Sequence, residues 1–316
     1  MKALIVGAGG YNGGNVARLL AARGHTVRGL VRDSARAASA LKEAGIDDVV
    51  QGDAITGAGL HQALTGVDTA FYFVHALDAP DRRTDERDLR AARQFVRAAQ
   101  TAGLRQGVFF TTLAPPRGAR PPIYQHNRLR VEEILLDGIP GMSAVRAGMV
   151  LGARSRGLLP YVKLVQRAPI VPLGPWCANR IAVIDPATVT EAIVAAGTDA
   201  ALAGRSLDAP VCAQPTHQEL VRAIATTLGL RRLIVRSPIA TPRLDAALIA
   251  AVTGEPYGFC RYLSSGNEHD YVIDPARSEP FGGLNPPSLR EALRHALRGP
   301  RPHPVREPNR GPGGRR

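Results

Sequence analysis

Gly7, Gly10 and Gly13 stand three residues apart within GAGGYNG, and Gly9 adds a second, overlapping G-x-G. Glycines at this spacing suit anion chemistry. The first permits a tight turn, the middle ones let backbone N–H groups approach a diphosphate, and the last lets a helix pack closely on a strand. Tyr11 and Asn12 stand inside the run. A helix starting here turns its partial positive end toward the anion. The run HTVRGLVR then ends on Arg32. A guanidinium fork suits a phosphate monoester, where an acidic side chain would suit a free ribose hydroxyl. Asp33 follows directly, and a one-residue shift would reverse that preference.

Such groups need elements to hold them. KALIV is apolar enough for a buried parallel strand, and NVARLLAAR carries Val16, Leu19 and Leu20 at helical spacing before HTVRGLVR supplies a second strand. Strand, glycine turn, helix, strand is the context a phosphate-binding turn requires. The alternation continues through the strand VDTAFYFVHAL, a long helix ending at Gly103, the strand GVFFTTLA, the helix IYQHNRLRVEEILLDG and the strand GMSAVRAGMVLG. It predicts an α/β fold over residues 1–150, a doubly wound parallel sheet with helices on both faces. Ligands in such sheets lie beyond the carboxyl ends of the strands, here Gly7, Arg32, Asp53, His75, Thr112 and Gly148. The proline-rich APPRGARPPI follows one of those ends and is placed to border a substrate pocket.

Beyond residue 150 the pattern weakens. RAPIVPLGPWCANRIAVID reads as short strands and loops, PATVTEAIVAAG as a helix and SLDAPV as a strand, and Thr216 and Glu219 have capping-box spacing at the start of another helix. Residues 151–299 are expected to complete the sheet and form a small C-terminal substrate lobe. Residues 300–316, with five arginines against Glu307, read as a disordered basic tail.

The formal charge of +13 is almost all arginine, since Lys2, Lys42 and Lys163 are the only lysines. No basic helix, zinc spacing or aromatic-plus-basic motif accompanies it, which argues against a specific nucleic-acid site. No apolar run approaches the roughly 18 residues of a membrane span. The chain enters its first strand with no cleavable leader, and Cys177, Cys212 and Cys260 lie far apart, so a cytoplasmic protein with free thiols is expected. Residues 86–97 are too polar to decide between a monomer and a homodimer.

GAGGYNG, GHTVRGLVRD and QGDAITGAGLHQALTGVDTAFYFVHAL together resemble the atypical short-chain dehydrogenase/reductases, the NmrA-like and epimerase-like group of Rossmann proteins. The resemblance implies that Gly7, Gly10 and Gly13 hold a pyrophosphate, with Tyr11 and Asn12 contributing mainly backbone, and that Arg32 meets the 2′-phosphate of NADP, with NAD the lesser alternative. It implies that Asp53 lies beside the adenine. Asp53 would also serve as a cap for a helix beginning near Thr56. His75 would lie near the nicotinamide ribose, as a packed residue or a proton donor.

Active members use a tyrosine as proton donor, a lysine four residues on that lowers its pKa, and a serine or threonine that holds the substrate oxygen. This chain offers Thr111 and Thr112, then Tyr124, then Arg128 at the lysine position. Arginine supplies positive field but releases no proton at working pH. The expected site is therefore Thr112, Tyr124 and Arg128. The implied activity is hydride transfer from NADPH to a small carbonyl, enone or quinone. A non-catalytic NADP(H) sensor, or a sugar-nucleotide epimerase or dehydratase, stands as an alternative. Arg146 and Arg180 are further candidates for an anionic or carbonyl-bearing ligand, or for plain ion pairs.

Overall fold

In the computed structural model, residues 1–75, 84–116, 118–237 and 241–298 are described, with the backbone alone at Thr84, Ile123, Tyr124, Pro242 and Arg298. The predicted tail at 300–316 lies outside the described residues.

The amino-terminal part alternates as expected: β1 Lys2–Val6, α1 Tyr11–Ala22, β2 Thr26–Val31, α2 Ser34–Glu43, β3 Asp48–Gln51, α3 Leu60–Leu64, β4 Thr69–Tyr72, α4 Thr84–Thr101, β5 Gln106–Thr112, α5 Ile123–Gly138 and β6 Gly141–Ala147. Beyond them come β7 Met149–Val150, α6 Leu159–Arg167, β8 Ile170–Leu173, β9 Val183–Ile184, α7 Pro186–Thr198, β10 Ser206–Asp208, α8 His217–Thr227 and β11 Leu233–Arg236. The helices α9 Pro242–Thr253, α10 Tyr257–Ser264, α11 Pro275–Ser278 and α12 Leu289–Arg298 close the described chain.

Seven parallel strands form the main sheet in the order β3-β2-β1-β4-β5-β6-β10. This is a Rossmann-like α/β fold. The order reverses between β1 and β4, which opens a crevice at their carboxyl ends. Both faces are buried because side chains alternate along each strand. Ile5, Phe71 and Val108 point toward α1, α2 and α7, in a cluster with Val16, Leu41 and Val189. Leu4, Tyr72 and Phe109 point the other way, toward α3, α4 and α5, in a cluster with Leu60, Phe95 and Leu135. Burying a side chain of this size contributes roughly 1.5–3 kcal/mol.

The strand expected over GMSAVRAGMVLG is broken in two. At Gly148 a Cβ would lie 2.1 Å from the Ala182 carbonyl oxygen, so the chain leaves β6 there and starts β7, which pairs with β9 instead. Residues 183–209 then return to the sheet, with β10 as its seventh strand. A third cluster, including Leu164, Leu173, Leu220 and Leu293, forms the core of the C-terminal lobe. Within this lobe α6 and α10 are helices that periodicity alone did not mark out. No helix among the described residues is long and apolar enough to cross a membrane.

Candidate functional site

The glycine turn is built by close approach. Gly7 has φ +97°, a left-handed conformation that a side chain disfavours. Its N–H donates to the Leu30 carbonyl at 3.2 Å, and its own carbonyl accepts from Gly10 N–H at 3.0 Å. A Cβ on Gly13 would fall 2.7 Å from that same Gly7 oxygen. Gly10 caps α1 without a side-chain hydrogen bond, and the first turn carries no acidic residue. The leading N–H groups of α1 are thus left to a ligand or solvent. Tyr11 packs its phenol ring over the backbone of Gly152, where a Cβ would meet the hydroxyl oxygen at 2.5 Å. That contact ties the turn to the segment after β7. Asn12 buries its Oδ1 with no partner among the described residues.

At the end of β2 the two neighbouring charges have different fates. Asp33 caps α2, its carboxylate accepting from Arg36 N–H at 2.9 Å. Arg32 is exposed and has no hydrogen bond or ion pair among the described residues. Asp53 closes a turn rather than starting a helix. Its Oδ1 accepts from Ile55 N–H at 2.8 Å and its N–H donates to the Ala58 carbonyl at 2.9 Å, while α3 begins only at Leu60. His75 lies exposed just past β4. The sheet therefore brings Gly7, Gly10, Tyr11, Asn12, Gly13, Arg32, Asp53 and His75 to one edge, at the carboxyl ends of β1 to β4.

Across the switch point the polar groups are engaged with one another. Tyr124 occupies the first turn of α5 and Arg128 the next, four residues on and so on the same side of the helix. The side chain of Tyr124 lies outside the described residues. Arg128 is buried, donates to the Phe110 carbonyl at 2.5 Å and the Val74 carbonyl at 3.3 Å, and sets its guanidinium over the Phe109 ring, 4.5 Å from the centroid. It thereby staples the ends of β4 and β5. Burial lowers its pKa, and nearby Asp88 opposes that shift. Asp88 is itself buried and accepts from the Asn127 amide at 3.1 Å.

Thr112 is also buried, and its hydroxyl pairs with the phenol of Tyr271. That phenol donates to the Ala147 carbonyl at 2.9 Å and accepts from Leu113 N–H at 3.2 Å. Tyr271 thus fastens the C-terminal lobe to the ends of β5 and β6. Arg146 forms a buried two-pronged ion pair with Glu132, at 2.6 and 3.1 Å, and Ser206 donates to the same carboxylate at 2.6 Å. Arg180 holds loops together, its N–H donating to Asp270 at 2.7 Å and its guanidinium to the Gln214 carbonyl at 3.3 Å. Tyr271, Glu132 and Asp88 were not singled out by sequence reasoning. Each works through a partner distant in the chain, so no local spacing marks it.

The lobe holds a small apolar cavity of about 30 Å³ lined by Tyr161, Leu164, Trp176, Ile249, Leu263 and Asn267, among others. Behind it, Tyr161 hydrogen-bonds His217 Nδ1 at 2.8 Å. Burial depresses the pKa of His217 to about 4, so its imidazole is neutral at pH 7.

The model of the NmrA-like family matches residues 1–129. No curated protein matches the chain in a sequence search. An NADPH-dependent quinone oxidoreductase from Escherichia coli, solved with NADPH, is 19% identical, with 94% of this chain and 100% of that one covered and a TM-score of 0.75. A nucleoside-diphosphate-sugar epimerase from Staphylococcus aureus is 18% identical over 93% of this chain and 100% of its own, with a TM-score of 0.75. An enzyme of Bordetella bronchiseptica, solved with NAD+, is 18% identical over 94% and 97%, with a TM-score of 0.68. At such identities the likeness is one of fold. The resemblance read from GAGGYNG and GHTVRGLVRD is borne out by the family match and by these Rossmann neighbours.

Proposed function

We propose that the chain is an NADPH-dependent oxidoreductase acting on a small carbonyl, enone or quinone. One observation carries the cofactor reading. Arg32 stands open beside a glycine turn and an uncapped helix start, while Asp33, the residue that would favour a free ribose, is used as a helix cap. Gly7, Gly10 and Gly13 with the first N–H groups of α1 would hold the diphosphate, with Tyr11 and Asn12 alongside. Arg32 would take the 2′-phosphate, Asp53 and its turn would border the adenine, and His75 the nicotinamide ribose. The cofactor would supply the hydride.

The chain's own part in the chemistry falls to the start of α5. Tyr124 would give the proton, and Arg128, four residues on, would stabilise the phenolate left behind. Arg128 does this by field alone, because a guanidinium keeps its protons. Thr112 at the end of β5 was expected to hold the substrate oxygen, and that role requires it to share its hydroxyl with Tyr271. Residues 1–150 would form the cofactor domain, and residues 151–299 the lobe that completes the sheet and covers the substrate.

Calorimetry with NADPH and NADH, followed by loss of NADPH absorbance against a panel of carbonyls and quinones, tests this reading. Tight NADPH binding with turnover is the expected result; no heat with either coenzyme would remove it. Tyr124→Phe should lower turnover at least tenfold and leave NADPH affinity within a few fold.

A second reading, a non-catalytic NADP(H) sensor, draws support from Arg128, whose guanidinium is committed to two backbone carbonyls. It predicts different affinities for the oxidised and reduced cofactor and no turnover with any acceptor.

A further inference from the structure

Tyr11, in the first turn of α1, reaches from the glycine turn to the loop between β7 and α6. A Cβ on Gly152 would stand 2.5 Å from the Tyr11 hydroxyl oxygen and 2.9 Å from Cε1, so the phenol lies against the Gly152 backbone. Leu151 and Leu158, both buried, anchor the two ends of this loop. The Leu151 N–H also donates to the Ile184 carbonyl at 2.7 Å. Within the loop the Ser155 N–H donates to the Gly152 carbonyl at 2.9 Å, closing a β-turn with Ala153 and Arg154 at its corners. The two arginines of the loop are used differently. Arg156 sets its guanidinium over the Phe259 ring of α10, 4.5 Å from the centroid, and so ties the loop to the C-terminal lobe. Arg154 is exposed at the turn and has no hydrogen bond or ion pair among the described residues. No carboxylate close in the chain competes for it: residues 138–184 contain neither aspartate nor glutamate, and the first turn of α1 has no acidic residue.

We propose, resting on the dinucleotide reading above, that Arg154 supplies the side-chain cation for the diphosphate received by the glycine turn. The turn itself offers dipoles and no full charge. Gly7, Gly10 and Gly13 contribute backbone N–H groups, and a helix start is worth roughly half an elementary charge. A dinucleotide carries a full negative charge on each phosphate of its diphosphate, so backbone alone leaves it under-neutralised. Arg32 stands at the end of β2, where the 2′-phosphate is expected, and a single guanidinium fork is filled by one phosphate group. Arg154 brings a second fork to the start of α1. The Tyr11 contact at Gly152 and the Arg156 contact with Phe259 hold the loop on either side of Arg154, so binding has mainly one side chain left to order. An anionic acceptor is the other ligand that Arg154 could serve. The diphosphate is favoured because the turn bearing Arg154 begins at Gly152, the residue that Tyr11 of the glycine turn touches.

Titration calorimetry of the full chain with two probes tests the proposal: ADP-ribose, which has the diphosphate and no 2′-phosphate, and adenosine 2′-monophosphate, which has the reverse. Arg154→Ala should weaken ADP-ribose roughly tenfold, the loss of a charge-assisted contact, and leave adenosine 2′-monophosphate within about twofold. Arg154→Lys should recover part of the loss, because an ammonium keeps the charge and gives up the two-pronged geometry. The urea midpoint of both variants should match the wild type, since Arg154 is exposed, and this separates a binding effect from a folding one. Equal ADP-ribose affinity in Arg154→Ala and wild-type protein would overturn the proposal and leave the dinucleotide reading standing. An equal loss for both probes would also overturn it, because that marks a general field instead of a contact. A raised KM for an anionic acceptor with ADP-ribose affinity unchanged would reassign Arg154 to the substrate. Wild-type protein that binds neither probe would remove the dinucleotide reading itself, and the role of Arg154 with it.

Discussion

The two ends of the parallel sheet treat their polar groups in opposite ways. Around β1 and β2 the chain leaves donors open: Gly10 caps α1 with no side chain, and Arg32 stands exposed without a partner among the described residues. Around β5, β6 and β10 it pairs them internally, Arg128 with two strand-end carbonyls, Arg146 with Glu132, and Thr112 with Tyr271. Open donors are what a ligand needs, whereas internal pairs hold elements in place. The first region keeps donors of that kind. The second is organised to hold strands, α5 and the C-terminal lobe in register, and any chemistry it performs must use groups that already have structural work.

The comparison breaks most visibly at Glu132. Glu132→Ala would leave the Arg146 guanidinium buried without its carboxylate and remove the acceptor for Ser206. Breaking a buried pair from one side costs about 3–5 kcal/mol. Urea denaturation should show a loss of that size, with cofactor affinity of the surviving folded fraction unchanged. A loss below about 1 kcal/mol would mean that the pair is not holding α5 to the sheet.

At the open end the corresponding change is Arg32→Ala. It should weaken NADPH by about 1.5–3 kcal/mol, the worth of a charge-assisted contact, and leave NADH almost untouched. Folding stability should hardly move, since Arg32 is exposed and has no partner among the described residues. Titration calorimetry with both coenzymes decides it. Equal weakening of the two would mean that the arginine does not read the 2′-phosphate.

Tyr271→Phe sharpens the contrast from the other side. It deletes the phenol oxygen shared by Thr112, Leu113 and Ala147, and should cost about 1–3 kcal/mol of stability by leaving those buried groups short of a partner. The loss should appear as earlier opening of the C-terminal lobe in hydrogen exchange, with protection in β1 and β2 retained. Uniform loss of protection would show that the two regions unfold as one unit.

Legibility in the sequence follows the same division. The glycine turn, Arg32 and the first two strands were readable because everything they need lies within about thirty residues, where spacing implies geometry. The strand alternation was readable because period and apolar runs are local properties. Tyr271 was not, because its partners lie about 120 to 160 positions away, at Ala147 and Thr112. Nor was the break at Gly148, which depends on the approach of Ala182 from another part of the chain. Asp53 marks the boundary: its capping character was legible, but whether it capped a helix or closed a turn depended on where α3 begins.

The smallest effect tests the finest distinction, that between Arg32 and its neighbour. In the structure Asp33 is a helix cap, so Asp33→Ala should cost about 1 kcal/mol of stability, the usual price of an N-cap carboxylate. Cofactor preference should stay as it was. If Asp33 instead served a ribose hydroxyl, the same substitution would weaken NADH and raise the NADPH to NADH selectivity. Asp33→Asn separates the two roles further, because asparagine caps a helix about as well as aspartate but lacks its charge. Stability retained in Asp33→Asn, with both coenzyme affinities at the wild-type level, assigns Asp33 to α2 and leaves the second-strand end to Arg32. A change in NADH affinity in that variant would place the acid, not the base, at the ribose.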